Sequence, residues 1–365
     1  MWHPVIASSV HAQREEGVGF LREAVGGNCK TNKKGNFIDG SEITLTKFIL
    51  WVSSVFFNGS CFMRWLLLLL CCSIPYFAQA KILVFTIVFN RPEFIELQKK
   101  SFDAFLLDEY DYIIYNNAAD PNIAREIEQT CQREGARHVR IPDKDRRNLD
   151  PCTSHATALN YAIQDLLKWH KGKTLLLEND DFLIQPISIE AEMTGVDFGY
   201  KPFCWMWDPD GKWVGHPTIY YPHANMAFFD FSTITHPELI NWHGTMIEGY
   251  RSDTGGHMYA FLRSEPKMRT KQIDEIASWD YQPGRNFFEG YVQKGVLPAS
   301  YIPLLEELIA NLPSAVQFIN HFTVLHYWVG SNWDNRDQAF HDKKFIAISA
   351  FLDKVIAEKG FKKSR

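Results

Sequence analysis

The amino-acid sequence predicts an α/β fold, in which a mixed and largely parallel sheet carries helices on both faces. Two observations predict it. From residue 81 onwards, strand-like apolar runs alternate with helix-like amphipathic segments over about 100 residues, which is typical of βαβ units. The first run, residues 81–89, is apolar without alternation, as expected of a strand that is buried on both faces of a parallel sheet.

Each element of the first half follows from the spacing of its apolar residues. The helix predicted at 93–107 has apolar residues three and four positions apart, and the helix predicted at 154–170 has one apolar side. Short β-branched and aromatic runs between the helices predict the strands. The predicted order is strand 81–89, helix 93–107, strand 112–115, helix 122–134, strand 138–142, helix 154–170 and strand 173–177.

The second half of the chain has shorter strand-like runs. Those at 218–221 and 226–231 predict an extension of the mixed sheet, and a helix is predicted at 257–262 after two glycines. No linker-like segment divides the sequence, so we expect a single domain. Its parts are a first half at 81–200, a second half at 201–340 and a C-terminal helix within 341–365.

The N-terminal region has the pattern of sequence outside the folded domain. A basic residue after Met63 precedes a short apolar run that ends in Ala-Gln-Ala at 78–80, which is typical of a secretory signal peptide. The run of roughly 13 residues is shorter than the ~20 residues that a membrane-spanning helix needs. We therefore expect a signal peptide at 63–80, and little order in upstream sequence translated from a wrong start codon at 1–62.

Two other interpretations of this region remain open. The residues from 48 to 77 would form a membrane anchor, or they would be a buried part of the core. A signal peptide implies a protein of the secretory pathway, secreted or periplasmic. An anchor implies membrane association through the N-terminal apolar segment.

The composition fits a globular protein and argues against one class of partner. The 365 residues are 46% hydrophobic and carry a formal net charge of −5. Proteins that bind nucleic acid usually present a basic face to the phosphates, so we do not expect nucleic acid as a partner. The seven cysteines lack metal-binding spacing, and we expect one disulfide bond or none.

Three carboxylates follow directly after the strand predicted at 173–177. They are Glu178, Asp180 and Asp181. Carboxylates that lie this close repel one another unless they are solvated or neutralised. Ligands of doubly wound sheets bind beyond the carboxyl ends of the strands, and Mg²⁺ and Mn²⁺ take oxygen ligands. The sequence therefore predicts a Mn²⁺ or Mg²⁺ site at this turn; an acidic surface turn is the alternative.

Three residues of the second half are further candidates for chemistry. Asp253 precedes Gly255 and Gly256, which permit a tight turn and a close approach of the backbone. A carboxylate there can deprotonate a hydroxyl group, or it can cap the helix that follows. Glu248 is a rival candidate for the same base. His326 follows an apolar run and is either a metal ligand or a structural histidine.

Polar residues at the ends of two predicted strands are candidates for binding a nucleotide. Asn90 and Arg91 follow the first strand, and Asn116 and Asn117 follow the second. Because parallel strands end at one edge of the sheet, these side chains are expected to lie near the acidic turn.

The helix predicted at 154–170 adds two more candidates. Arg147 precedes it, and an arginine near a helix N-terminus can hold phosphate. Asn160 lies inside the helix. Otherwise the arginine is solvated and Asn160 is a buried polar residue.

With these motifs, the chain resembles glycosyltransferases of the GT-A fold. Residues 84–92 are similar to the first strand of the family-2-like enzymes, and residues 158–162 are similar to their helix of the Ala-x-Asn-x-Gly kind. Residues 175–184 resemble their strand and DxD motif, with Glu178 and Asp180 in the two acidic positions.

The resemblance also implies roles for single residues. Asp253 falls where the later acidic motif carries the catalytic base, and His326 resembles the C-terminal metal-binding histidine of some retaining relatives. Asn116 and Asn117 stand where family members usually have an Asp that contacts the base of the nucleotide. Because the two halves resemble different stereochemical classes, inversion and retention both stay open.

The resemblance implies a Rossmann-like GT-A sheet and a metal-dependent enzyme. Such an enzyme moves a sugar from a nucleotide diphosphate donor to a glycan, lipid or protein acceptor. The first half is then expected to bind the nucleotide sugar, the second half to bind the acceptor, and Mn²⁺ or Mg²⁺ to hold the diphosphate. Two alternatives are a nucleotidyltransferase and a non-catalytic secreted module that binds carbohydrate or a partner on a degenerate transferase fold.

Overall fold

A computed structural model describes residues 81–143, 149–277, 283–312, 316–327 and 338–359. All of them belong to one compact unit, Gln79–Arg365. Within these ranges, no helix combines the length and the hydropathy needed to cross a membrane. The segments predicted at 1–62 and 63–80, and Arg147, lie outside the described residues.

The strands and helices alternate along the first half of the described chain and are shorter in the second half. The strands are β1 (Ile82–Val88), β2 (Tyr110–Asn116), β3 (Arg137–Arg140), β4 (Lys173–Leu177), β5 (Asp181–Leu183), β6 (Phe198–Phe203), β7 (Trp205–Trp207), β8 (Trp213–Gly215), β9 (Tyr221–Asp230), β10 (Met246–Ile247), β11 (Tyr250–Ser252), β12 (Thr270–Gln272), β13 (Glu275–Ala277), β14 (Val316–Ile319) and β15 (Val324–Tyr327). The helices are α1 (Glu93–Phe105), α2 (Pro121–Glu134), α3 (Pro151–Leu166), α4 (Ile189–Glu192), α5 (Gly256–Ser264), α6 (Arg285–Gln293), α7 (Tyr301–Asn311) and α8 (Gln338–Lys359).

Helix α3, which borders the candidate site, begins earlier than the predicted position 154. Asp150 is its N-cap, and its carboxylate accepts a hydrogen bond of 3.2 Å from the Thr153 backbone N–H. Pro151 takes the first helical position, where its missing N–H costs nothing. The Asp-Pro pair therefore starts the helix ahead of its apolar stripe.

The main sheet has the strand order β12-β6-β9-β4-β1-β2-β3. Strands β4, β1, β2 and β3 are parallel, and β9 runs antiparallel to both β4 and β6. The predicted mixed sheet of an α/β fold is confirmed.

Helices cover both faces of this sheet, as predicted. All seven residues of β1 are buried, and alternate ones belong to different hydrophobic clusters. Val84 packs in the cluster that includes Phe94 of α1, whereas Phe85 packs in the cluster that includes Leu159 of α3. Burial on both faces explains why this strand is apolar without alternation.

The strand predicted at 218–221 is not formed, because residues 218–220 lie outside any strand, whereas β9 runs from Tyr221 through most of the strand predicted at 226–231. The pairing of β6 with β9 jumps from Tyr200 opposite Ala227 to Lys201 opposite His223. The extra residues of β9 form a bulge, so polar residues interrupt its apolar pattern without ending the strand.

Two four-stranded antiparallel sheets complete the described structure, with the orders β10-β11-β7-β8 and β13-β14-β15-β5. Strand β5 follows β4 after the acidic turn. This turn therefore joins the main sheet to the sheet that contains β15, and it brings His326 opposite Asp181.

Candidate functional site

The candidate site lies at the carboxyl edge of the parallel strands, where β1, β2 and β4 end. Strand β9 runs the other way, so its first half lies at the same edge. The backbone N–H of Glu178 donates to the Asn225 carbonyl over 3.3 Å, which joins the acidic turn to β9. This edge is where ligands of open α/β sheets bind.

The acidic turn between β4 and β5 is fixed by its own hydrogen bonds and by α1. Asp181 Oδ2 accepts from the Glu178 backbone N–H at 3.1 Å. Gln98 Nε2 donates to the Glu178 carbonyl at 2.6 Å and to the Asp181 carbonyl at 2.9 Å. Asp181 is fully buried and faces back into the turn, so its carboxylate holds the loop in shape.

Glu178, Asp180 and His326 converge into one group. Each offers a ligand atom, and these atoms all lie within 4.8 Å of one another. His326 Nε2 is 3.9 Å from Glu178 Oε2 and 3.8 Å from Asp180 Oδ1. The Tyr327 backbone N–H donates to the Asp180 carbonyl at 2.8 Å, which ties β15 to the turn. Asp181, the third predicted carboxylate, is not in this group.

The surroundings of the group favour a bound cation. Burial raises the pKa of Glu178 to about 7; the charge of Asp253 contributes to this shift, and the nearby Lys201 ammonium opposes it. Burial also raises the pKa of Asp181 well above its ordinary value, with Asp180 adding to the shift. Burial lowers the pKa of His326 well below its ordinary value, so the ring is neutral at neutral pH. A neutral imidazole beside crowded carboxylates suits a divalent cation, which would supply the missing positive charge.

His326 is oriented by a second side chain. Its Nδ1 lies 2.8 Å from Gln317 Oε1, on the neighbouring strand β14. Since that oxygen can only accept, Nδ1 carries the proton and Nε2 presents its lone pair to the carboxylates.

Asn225 and Lys201 belong to the site but were not predicted. The Asn225 side-chain amide donates to Glu178 Oε2 at 2.8 Å and lies 3.1 Å from His326 Nε2. The Lys201 ammonium is buried and pairs with Glu275 Oε2 at 3.0 Å. A lysine inside the apolar run of β6, and an asparagine inside β9, are the only signals in the sequence, and each is weak alone.

Asp253 lies close enough to the acidic turn for its charge to contribute to the raised pKa of Glu178. Its backbone N–H donates to the Tyr221 hydroxyl at 3.1 Å, and its Oδ1 accepts from the Thr254 N–H at 2.7 Å. His155 Nδ1 lies 3.7 Å from Glu178 Oε1. Burial lowers the pKa of His155 to about 4.

Asn160 holds the loop that precedes Asp253. Its Oδ1 accepts from the Trp242 backbone N–H at 2.7 Å, and its Nδ2 donates to Asn241 Oδ1 at 3.0 Å. The Trp242 carbonyl in turn accepts from the Gly255 N–H at 2.6 Å. These hydrogen bonds of Asn160 are with the protein itself, and binding of the donor by this residue stays a prediction.

The two asparagines at the end of β2 differ in their surroundings. Asn116 Nδ2 donates to the Ala124 carbonyl at 2.8 Å, and its Oδ1 accepts from Arg140 at 2.8 Å. Asn117 is 3% exposed, and its Oδ1 has no hydrogen-bond partner in the described part of the chain. Asn117 is thus the better placed of the two for contact with a ligand.

The remaining predicted residues lie farther from the acidic group or are engaged elsewhere. Asn90 follows β1 at the same edge. Arg91 pairs with Glu93 at 2.5 Å, at the start of α1. Glu248 lies at the exposed tip of the β10–β11 hairpin with φ +52°, and its carboxylate contacts the Tyr259 hydroxyl at 3.4 Å.

No protein-family model and no curated protein matches the sequence. Solved structures that resemble the chain are glycosyltransferases, the class that the sequence motifs also resemble. They include the galactosyltransferase LgtC in complex with donor and acceptor sugar analogues (11% identity, TM-score 0.31, 41% of this chain and 58% of that chain). Another is glucosyl-3-phosphoglycerate synthase from Mycobacterium tuberculosis with phosphoglyceric acid (13% identity, TM-score 0.33, 53% of this chain and 70% of that chain). A third is the mannosyltransferase PcManGT from Pyrobaculum calidifontis with GDP-Man and Mn²⁺ (10% identity, TM-score 0.34, 78% of this chain and 88% of that chain).

The chain thus spans less than two thirds of the length of the galactosyltransferase. At identities of 10–13% and TM-scores of 0.31–0.34, these similarities assign no substrate and no residue role to this chain.

Proposed function

We propose that the protein is a metal-dependent glycosyltransferase that uses a nucleotide diphosphate sugar as donor. The observation that carries the proposal is the convergence of Glu178, Asp180 and His326 at the carboxyl edge of the parallel strands. A divalent cation binds where carboxylates are gathered beyond strand ends, and it can then hold an anionic diphosphate at the same edge of the sheet.

The ligand set suits Mn²⁺ better than Mg²⁺. Glu178 and Asp180 offer carboxylate oxygens, and His326 offers a neutral imidazole nitrogen. Mg²⁺ is usually held by oxygen atoms alone, whereas Mn²⁺ accepts oxygen ligands together with imidazole. When bound, the cation supplies charge stabilisation for the departing nucleoside diphosphate.

The donor is expected to lie across the ends of β1 and β2. Asn117 offers a buried carbonyl oxygen without a partner in the described residues, and Asn90 follows β1 at the same edge. The amides of both asparagines can accept hydrogen bonds from a nucleoside and can donate hydrogen bonds to it. Binding of the donor phosphates by Arg91 and Arg147 stays a prediction.

We propose that the acceptor binds next to Asp253. Its carboxylate would take the proton from the acceptor hydroxyl if the enzyme inverts. The Tyr221 hydroxyl contacts the Asp253 backbone and donates to the Trp205 carbonyl at 2.8 Å. Trp205 is 38% exposed, and exposed aromatic side chains suit sugar rings. Asp253 and an aromatic surface are thus linked through one tyrosine.

Calorimetry with UDP and with GDP, in the presence and absence of Mn²⁺, tests the proposal. We expect one of the two nucleotides to bind only with Mn²⁺, and Asp180→Asn to abolish that binding. Failure of both nucleotides to bind would support a non-catalytic module instead. Release of pyrophosphate from a nucleoside triphosphate would support a nucleotidyltransferase.

The location of the protein is a separate proposal. The sequence at 63–80 supports entry into the secretory pathway, with cleavage after Ala80. N-terminal sequencing of the mature protein tests it: a first residue of Lys81 is expected, and a retained Met1 would contradict it.

A further inference from the structure

The side-chain amide of Asn225 lies among the proposed metal ligands. Its Nδ2 is 2.8 Å from Glu178 Oε2 and 3.1 Å from His326 Nε2. The residue is 1% exposed, so bulk water does not compete for the amide. The bulge of β9 between His223 and Ala227 carries it to this position.

These separations are those of neighbouring ligands around one cation. Ligand atoms at about 2.1–2.2 Å from a cation of octahedral geometry lie about 3 Å apart when they are at right angles. The Asn225 amide therefore occupies a corner of the coordination sphere that Glu178 and His326 would share. An N–H group at that corner would face the cation with its positive end, which is unfavourable.

A half-turn of the amide removes this conflict. The turn exchanges Nδ2 and Oδ1 and moves few other atoms, because the two ends of the amide have nearly the same shape. Asn225 Oδ1 is buried and has no hydrogen-bond partner in the described part of the chain. A buried carbonyl oxygen without a partner costs stability. In the turned amide, the cation would be the partner of this oxygen.

His223 offers a partner for the other end of the turned amide. Its Nδ1 is buried and makes no hydrogen bond with the described residues. His223 and Asn225 are two residues apart on β9, and their side chains are close enough to interact. In the present orientation, His223 Nδ1 and Asn225 Oδ1 both lack a hydrogen-bond partner in the described part of the chain. In the tautomer with the proton on Nε2, His223 Nδ1 can accept from the turned Nδ2.

We propose that Asn225 is a further ligand of the divalent cation, through Oδ1, and that its amide turns over when the cation binds. The inference rests on the proposed function for the presence of the cation. Asn225 would be a neutral ligand beside Glu178, Asp180 and His326. The remaining positions around the cation would then be available to the oxygens of a diphosphate.

A rival role is that Asn225 acts as a donor that positions Glu178 and His326. Two substitutions separate the roles. Asn225→Ala removes both functions, whereas Asn225→Asp keeps an oxygen at the same place but cannot donate. Mn²⁺ binding is measured by electron paramagnetic resonance of the free ion, with Asn311→Asp as a control, since Asn311 is exposed on α7.

The proposal predicts a loss of Mn²⁺ affinity of about 10-fold or more in Asn225→Ala, and affinity equal to or tighter than wild type in Asn225→Asp. A cooperative thermal unfolding transition is required of each variant, as a check that the variant is folded. An equal loss in both variants would overturn the ligand role and leave the metal site intact. No Mn²⁺ binding to the wild-type protein would overturn the metal assignment itself, and the ligand role with it.

Discussion

Gln317 and His326 lie opposite each other on β14 and β15, and the His326 Nδ1 atom is 2.8 Å from Gln317 Oε1. This contact fixes which ring nitrogen carries the proton. As a result, Nε2 faces Glu178 and Asp180 with its lone pair. The structure thus contains a candidate group of metal ligands in which the histidine is also oriented by a second side chain.

Replacement of Gln317 by Leu is expected to weaken Mn²⁺ binding about 10-fold, because the His326 ring loses the partner that orients it. The measurement is a Mn²⁺ titration of folded protein. Gln164→Leu is the matched control, since Gln164 lies on α3 and its amide donates to the Glu238 carbonyl. Unchanged affinity in Gln317→Leu would show that the ring is oriented without this contact.

If the enzyme inverts, replacement of Asp253 by Asn is expected to lower the rate of sugar transfer about 100-fold or more, because the proposed general base is lost. Binding of Mn²⁺ and of the nucleoside diphosphate should be retained. Glu248→Gln is the comparison, and we expect it to change the rate little, since Glu248 lies at an exposed hairpin tip. A large loss of rate in Glu248→Gln together with a small loss in Asp253→Asn would indicate that Glu248 is the base.

Replacement of Gly255 by Ala is expected to destabilise the protein by about 2–4 kcal/mol. The φ of Gly255 is +100°, and an added Cβ would lie 1.9 Å from the Pro222 carbonyl oxygen. Urea unfolding measures the loss. Gly284→Ala is the control, because a Cβ at Gly284 meets no atom within 4 Å in the described structure. Equal stability of the two variants would contradict the proposed close approach of the backbone.

The Asp197–Arg269 pair predicts how stability depends on pH. Hydrogen bonds from Arg269 lower the pKa of Asp197 to about 2, below the ~3.9 of an unfolded chain. The stabilisation is therefore complete above pH ~4 and disappears as the pH falls towards 2. Asp197→Asn should cost about 1 kcal/mol at pH 7, a modest value because Arg269 is 57% exposed.

The free energies of unfolding of wild type and Asp197→Asn, measured between pH 7 and pH 2, should converge at the acidic end. Asp111→Asn is the control, since the Lys81–Asp111 pair is exposed and should contribute little. A gap that stays constant over this range would show that the pair does not stabilise the protein through its charge.

The sheet and the acidic turn were predictable because they depend on local sequence. Burial of β1 on both faces leaves a continuous apolar run, and a strand that ends at the ligand edge leaves carboxylates directly after it. The position of Asp180 beside the strand end therefore follows from neighbouring residues.

Asn225, Lys201 and Gln317 could not be predicted because pairings between distant strands bring them to the site. The bulge in β9 places Asn225, and the antiparallel pairing of β14 with β15 places Gln317. A single polar residue in an apolar strand has no periodicity to mark it. His326 was a candidate from its place after an apolar run, and the resemblance to a family favoured its role as a metal ligand.

Release of nucleoside diphosphate from a panel of nucleotide sugars, with an acceptor mixture, tests the central claim most directly. We predict that wild-type protein releases a nucleoside diphosphate with Mn²⁺, stops after EDTA, and recovers when Mn²⁺ is added back. Asp180→Asn should release none under any of these conditions. Release that continues in EDTA, or that is undiminished in Asp180→Asn, would contradict the claim that Glu178, Asp180 and His326 hold a cation required for transfer.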